Sequence, residues 1–129
     1  PEKLVPKVIK LASEENLVPI YGSGLQVRDW LYVKDHCQAI SDLILRGEIG
    51  QIYNIAGRNE INNLEMVKSI LDRLGKGVEL IEHIQDRQGH DFRYSVNDDK
   101  IRELGWEPRI PFTSGMELTI ADSTNILDQ

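Results

Sequence analysis

The feature that most constrains this chain is an alternation of short extended runs with amphipathic helical stretches, broken at most junctions by glycine. Pro1 and Glu2 open a stretch to Glu15 in which Leu4, Val8 and Leu11 fall at helical spacing. Pro19-Ile20-Tyr21 reads as extended, Gly22-Ser23-Gly24 as a turn between two strands, and Val27 to Val33 as a strand with Trp30 and Tyr32 on one face. Asp35 is the expected N-cap of a helix whose buried stripe is Cys37, Ile40 and Ile44, with Gly47 and Gly50 ending it. Gln51 to Ala56 predicts a strand. Asn62 and Glu65 have capping-box spacing ahead of a helix carrying Leu64, Val67, Ile70, Leu71 and Leu74. Val78 to Ile84 predicts another strand, Asp86 to Asp91 a loop and Phe92 to Val96 an extended segment. Asn97 or Asp98 should cap a short helix bearing Ile101 and Leu104, closed by Gly105. Phe112, Met116 and Ile120 recur at every fourth position of a last helix, with Ser114 and Glu117 as a second capping box. Strand-like and helical patterns taking turns predict an α/β fold, and 129 residues suit one domain over the whole length.

Charge then removes several function classes. Fifteen Lys+Arg against 21 Asp+Glu give a net charge of −6, which lacks the basic footprint of a nucleic-acid binder. Any phosphate must be held by a few local cations. No apolar run approaches the ~20 residues of a membrane helix, and the first residues do not read as a signal peptide. The lone Cys37 forms no internal disulfide, which points to the cytoplasm. The start at Pro1, without Met, hints at a longer chain.

Self-contained catalytic motifs are missing. His36, Cys37, His83 and His90 share no zinc-module spacing, so no metal site is expected. There is no Gly-x-Ser-x-Gly elbow and no Gly-x4-Gly-Lys phosphate loop. Gly22-Ser23-Gly24 leads to Val27 where a dinucleotide fingerprint has glycine, and to a strand where it needs a helix. No cofactor-binding residue follows from it.

What remains are polar groups in places where a core has no use for them. Arg28 opens an apolar, aromatic strand, where it either clamps a phosphate or pairs with an acid such as Asp29. Arg87, in the loop Asp86-Arg87-Gln88-Gly89-His90-Asp91, is either a second clamp or part of a solvated loop. Asn63 stands at a helix start, where capping or anion attraction would each explain it.

Taken in order, these segments resemble the C-terminal part of nucleotide-sugar enzymes of the extended short-chain dehydrogenase/reductase family. The resemblance runs through Pro1-Glu2-Lys3-Leu4-Val5-Pro6, Pro19 to Gly24, Val27 to His36 and Ile52-Tyr53-Asn54-Ile55-Ala56-Gly57. The loop from Asp86 to Tyr94 is most similar to the dTDP-glucose 4,6-dehydratase branch. Gln88 stands where that branch usually has Pro, Arg58 where it has His, and Ala56 where Gly is common.

The resemblance implies a lyase that takes dTDP-glucose to dTDP-4-keto-6-deoxyglucose and water, using a tightly bound NAD as internal hydride carrier. It implies an N-terminal Rossmann half holding NAD, a Tyr-x3-Lys pair and the acidic residues of the elimination. None of Tyr21, Tyr32, Tyr53 or Tyr94 has Lys four residues on, so no catalytic residue is expected here and the fragment alone should be inactive. By resemblance Lys3 and Leu4 contact the nucleotide, and Pro19, Ile20 and Tyr21 line the thymine pocket. Arg28 and Arg87 grip the pyrophosphate with Asn63 nearby, while Asp86, Gln88, Gly89 and His90 shape the same pocket. The implied partners are a dTDP-sugar and the N-terminal half of the same enzyme, full-length molecules forming a homodimer. Another nucleotide-sugar epimerase, dehydratase or decarboxylase, or a non-catalytic dTDP-binding module, stays open as an alternative.

Overall fold

The computed structural model describes residues 3–127, with the side chains of 125–127 left aside. Pro1 and Glu2, expected at the start of the first helix, lie outside the described residues. Helix α1 (Leu4–Ser13) buries Val8, Ile9 and Ala12, while Leu4 and Leu11 of the expected stripe pack partly buried at its margin, and it leads to β1 (Val18–Tyr21). After the Gly22–Gly24 turn come β2 (Val27–Asp29) and α2 (Val33–Arg46). An irregular stretch leads to β3 (Glu60–Asn62), which passes directly into α3 (Asn63–Arg73). A single 3-10 turn at Val78–Leu80 precedes β4 (Ile81–Ile84), and α4 (Asp99–Glu103) and α5 (Phe112–Leu127) complete the order.

Two small sheets result. β1 pairs with β4 in parallel, Val18 opposite Ile81 and Tyr21 opposite Ile84. β2 pairs antiparallel with β3, Val27 opposite Asn62 and Asp29 opposite Glu60. The glycine turn therefore carries the chain from one sheet into the other and does not form a hairpin. The main core lies between α1, β1, α3 and α5, where Ile9, Met66, Val67, Ile70 and Leu71 are fully buried. A second cluster gathers Ala39 of α2, Ile101 of α4 and Trp106, with Leu31, Leu43, Tyr53 and Ile55 around it. No described helix is long and apolar enough to cross a membrane.

Several expected boundaries move, each for a local reason. Strand β2 ends at Asp29, whose carboxylate takes the amides of Gly57, Arg58 and Asn59, and one further bond, from the Trp30 amide to the Asn59 carbonyl at 3.0 Å, closes the pairing. Asp35 is not the N-cap of α2. The helix starts at Val33 after Tyr32, and Asp35 sits buried in its first turn, accepting the Ile110 amide at 2.9 Å. The expected stripe of Cys37, Ile40 and Ile44 is exposed, since α2 packs through its opposite face, Asp35 and Ala39. Gln51 to Ala56 is not a strand: among the described residues no strand pairs with it. Val78–Leu80 curls into the 3-10 turn, so β4 is shorter than expected. Phe92 to Val96 is irregular apart from a bridge between Val27 and Arg93. Ser114 does not cap α5, which has already started at Phe112. Asn62 caps α3 as expected, its side chain accepting the Glu65 amide at 2.8 Å. At α4, Asn97 supplies the side-chain acceptor, to the Asp99 amide, although Asp98 is the flanking residue.

Candidate functional site

Parallel strands leave a crevice beyond their C-terminal ends, and ligands of α/β proteins settle there. The ends of β1 and β4 are Tyr21 and Ile84, so the glycine turn and the Asp86–Asp91 loop rise on the same side. A cleft of about 800 Å³ opens at this end. Its walls are Lys3, Leu4 and Lys7 of the first helix and its approach, Pro19 to Tyr21 of β1, Arg28 and Trp30, Asn63 of α3, residues 87–91, and Tyr94.

Eleven of the twelve residues that the sequence singles out for binding line this one cleft. They are Lys3, Leu4, Pro19, Ile20, Tyr21, Arg28, Asn63, Arg87, Gln88, Gly89 and His90. The twelfth, Asp86, does not line it but bonds to two residues that do, the Arg87 amide and His90. Lys7, Trp30, Asp91 and Tyr94 line the cleft as well, and sequence reasoning did not single them out. Lys7 left one usable signal, its position one helical turn after Lys3. Tyr94 left none, because its place depends on how residues 92–94 lie along β2.

The two arginines occupy this site in the same manner. Arg28 lies 4.2 Å above the Tyr94 ring and donates to the carbonyls of Val27 at 2.7 Å and Asp91 at 3.0 Å. Arg87 lies 4.9 Å above the Tyr21 ring and meets His90 Nε2 at 3.2 Å. Among the described residues neither guanidinium forms an ion pair with a carboxylate. Asp29, the acid next to Arg28, is taken up by the three amides that end β2. Stacking on a ring fixes a planar cation without neutralising it. Both charges are thus held at the cleft with donors to spare.

Neighbouring groups set the polarity of the wall. The hydrogen bond to Asp91, reinforced by that carboxylate's charge, pushes the Tyr94 phenol above its ordinary range and keeps it protonated. The hydrogen bond from His90, against partial burial and with help from the Arg87 amide and Gln26, holds the Asp86 carboxyl below its usual range. Asn63 is not the cap of α3, a role that Asn62 fills, so its side chain is left to the cleft. Gly22-Ser23-Gly24 runs on into strand β2 where a dinucleotide fingerprint runs on into a helix, and its Gly24 carbonyl takes the Leu64 amide at the start of α3 at 2.9 Å, so these residues do not fit a dinucleotide pyrophosphate.

The fold is that of the extended short-chain dehydrogenase/reductase class, of whose members the chain matches a part. A dTDP-glucose 4,6-dehydratase from Bacillus anthracis, solved in complex with NAD, superposes with a TM-score of 0.88 at 45% identity, covering 94% of this chain and 39% of that one. The chain belongs to the GDP-mannose 4,6 dehydratase family, whose model matches residues 1–119. The dTDP-glucose 4,6-dehydratase of Shigella flexneri is 47% identical over 128 residues, 93% of this chain and 36% of that protein. A low-salt glycan biosynthesis protein of Haloferax volcanii is 42% identical over 120 residues, 93% of this chain and 39% of its own length. The chain therefore spans between 36% and 39% of the curated relatives it matches.

Proposed function

We propose that this chain is the substrate-binding part of a dTDP-glucose 4,6-dehydratase, and that residues 1–129 act as one unit holding the nucleotide end of a dTDP-sugar. The observation that carries this reading is the pair Arg28 and Arg87, each stacked on a tyrosine and facing one cleft without a carboxylate partner among the described residues. In a chain of net charge −6, two such cations concentrate a favourable field for an anion where a pyrophosphate would lie. Pro19, Ile20 and Tyr21 offer a flat, half-apolar wall for a base, with Lys3 and Leu4 beside it. Asn63 and residues 87–90 shape the phosphate end.

The activity belongs to the assembled enzyme. NAD, the Tyr-x3-Lys pair and the elimination acids would come from a Rossmann half, and the whole enzyme would work in the cytoplasm as a homodimer. The lone Cys37 supports a reducing compartment. With no Tyr-x3-Lys pair in its 129 residues, the purified chain should form no 4-keto sugar from dTDP-glucose, even with added NAD.

Titration calorimetry with dTDP at low salt tests the binding role. Arg28→Ala and Arg87→Ala should each weaken binding by roughly ten- to a hundredfold, the loss of one charge-assisted contact of ~1.5–3 kcal/mol. Equal affinity of both variants and the parent would reject the clamp. UDP run in parallel reads base preference, and tighter binding of UDP would move the assignment to a UDP-sugar enzyme of the same class.

A further inference from the structure

Behind Arg87 the wall of the cleft contains a chain of hydrogen bonds that nothing about phosphate binding requires by itself. Gln26 is 5% exposed, and its amide nitrogen donates to Asp86 Oδ2 at 2.8 Å across 60 residues of sequence. The other carboxylate oxygen, Asp86 Oδ1, accepts the Arg87 amide at 2.8 Å and meets His90 Nδ1 at 2.7 Å. His90 Nε2 in turn meets the Arg87 guanidinium at 3.2 Å. The His90 side chain is only 5% exposed, with the Tyr21 ring edge-on at 6.1 Å. The charged groups bonded to it are Asp86 and Arg87.

Both ends of the imidazole specify the same proton arrangement. A guanidinium has donors and no acceptor, so Nε2 must present its lone pair to Arg87. An ionised carboxylate accepts only, so Nδ1 must carry the hydrogen toward Asp86. We infer that Gln26 and Asp86 are positioning residues that lock His90 in the Nδ1–H tautomer, and that this tautomer holds Arg87 over Tyr21 in the rotamer that faces the ligand. Their effect reaches the phosphate only through His90 and Arg87. Gln26 is well suited to this task. Its amide donates to the carboxylate without competing for the imidazole, and its buried position ties the loop to the start of β2. Its amide oxygen has no partner among the described residues, so the side chain is oriented by the Asp86 bond alone.

The inference rests on the nucleotide-site reading for its purpose but not for its first test. Long-range proton–nitrogen correlation spectra of the uniformly labelled chain, without ligand and at a pH where His90 is neutral, distinguish the two tautomers by their ring-nitrogen shifts. The parent should show the Nδ1–H pattern at His90. Gln26→Met keeps the volume and removes the bond to Asp86, and Asp86→Ala removes the acceptor itself. Each should move the His90 shifts toward the Nε2–H pattern and weaken dTDP binding by roughly three- to tenfold, the worth of one net hydrogen bond. An Nε2–H pattern in the parent overturns the inference, as does an unchanged His90 pattern in the variants. Should Gln26→Met lose its dispersed amide spectrum, Asp86→Ala, on a loop with a half-exposed carboxylate, decides. Absence of dTDP binding by the parent counts against the nucleotide site and leaves the tautomer result standing.

Discussion

Gly22 turns with a φ of +56°, and a Cβ at that position would sit 2.8 Å from Asp86 Oδ2. Two requirements, a left-handed backbone and space for a carboxylate, thus meet in one residue, and only glycine satisfies both. Gly22→Ala should destabilise the fold by about 1–3 kcal/mol and also displace Asp86, so that dTDP affinity falls beyond what lost stability explains. Thermal unfolding together with calorimetry separates the two effects, and unchanged affinity in a destabilised variant would rule out the Gly22–Asp86 contact as support for the loop. At this scale the legible residues were those whose chemistry is conspicuous where they stand. Arg28 at the head of an apolar strand and Arg87 beside Gly89 are charges without a packing reason. Gln26 was not legible, because a glutamine is unremarkable until its partner, 60 residues away, is brought alongside, and Lys7 left only its spacing from Lys3.

Elements show the same division between local and tertiary causes. Helix α3 was readable from its start, since Asn62 and its apolar stripe are local instructions. Helix α2 was not. Its apolar residues Cys37, Ile40 and Ile44 suggested the wrong inner face, while Asp35 and Ala39 turn inward because Ile110 and Trp106 bind there. Gln51 to Ala56 looked like a strand, yet a clasp at Ala56 and Arg58 positions this stretch without a ladder. Asp98, 2% exposed, accepts Arg58 Nε and Arg102 Nε at 2.7 Å each, and Arg102 also donates to the Ala56 carbonyl at 3.1 Å. Burial pushes the Asp98 carboxyl upward, but the bonds from Arg102 and Arg58 outweigh it and hold the group below its usual range. A depressed folded value means that the clasp stabilises the fold fully above the unfolded carboxylate range, and that this contribution is lost as pH falls through the folded value. Asp98→Asn should therefore lower stability near neutral pH by about 2–3 kcal/mol and flatten the acid limb of the stability profile. Denaturant melts of both proteins across the acid range check this, and parallel curves would exclude the clasp as their cause.

At the scale of the whole molecule, the face that α2 turns outward joins the unpaired stretch after it. Ile44 is 79% exposed, Leu45 78%, Ile49 103% and Ile52 83%, and Ile40, Ile44, Ile49 and Tyr53 share one shallow depression. Scattered apolar side chains are ordinary on a protein surface, but a contiguous set of this kind favours association. The net charge of −6 opposes that association at low salt, because like-charged copies repel over the ~10 Å Debye length of a 0.1 M solution. Salt screens the repulsion and leaves the apolar attraction intact, so the weight-average mass of the chain should rise with both protein and salt concentration. Contacts made of ion pairs would respond to salt in the opposite direction. Ile44→Lys and Ile49→Lys, at exposed positions where folding is indifferent to the change, should restore a monomer at all salt concentrations. Sedimentation equilibrium at several salt concentrations gives the answer. A parent chain that stays monomeric throughout would show that this face, though apolar, is too irregular to bind a second copy of itself.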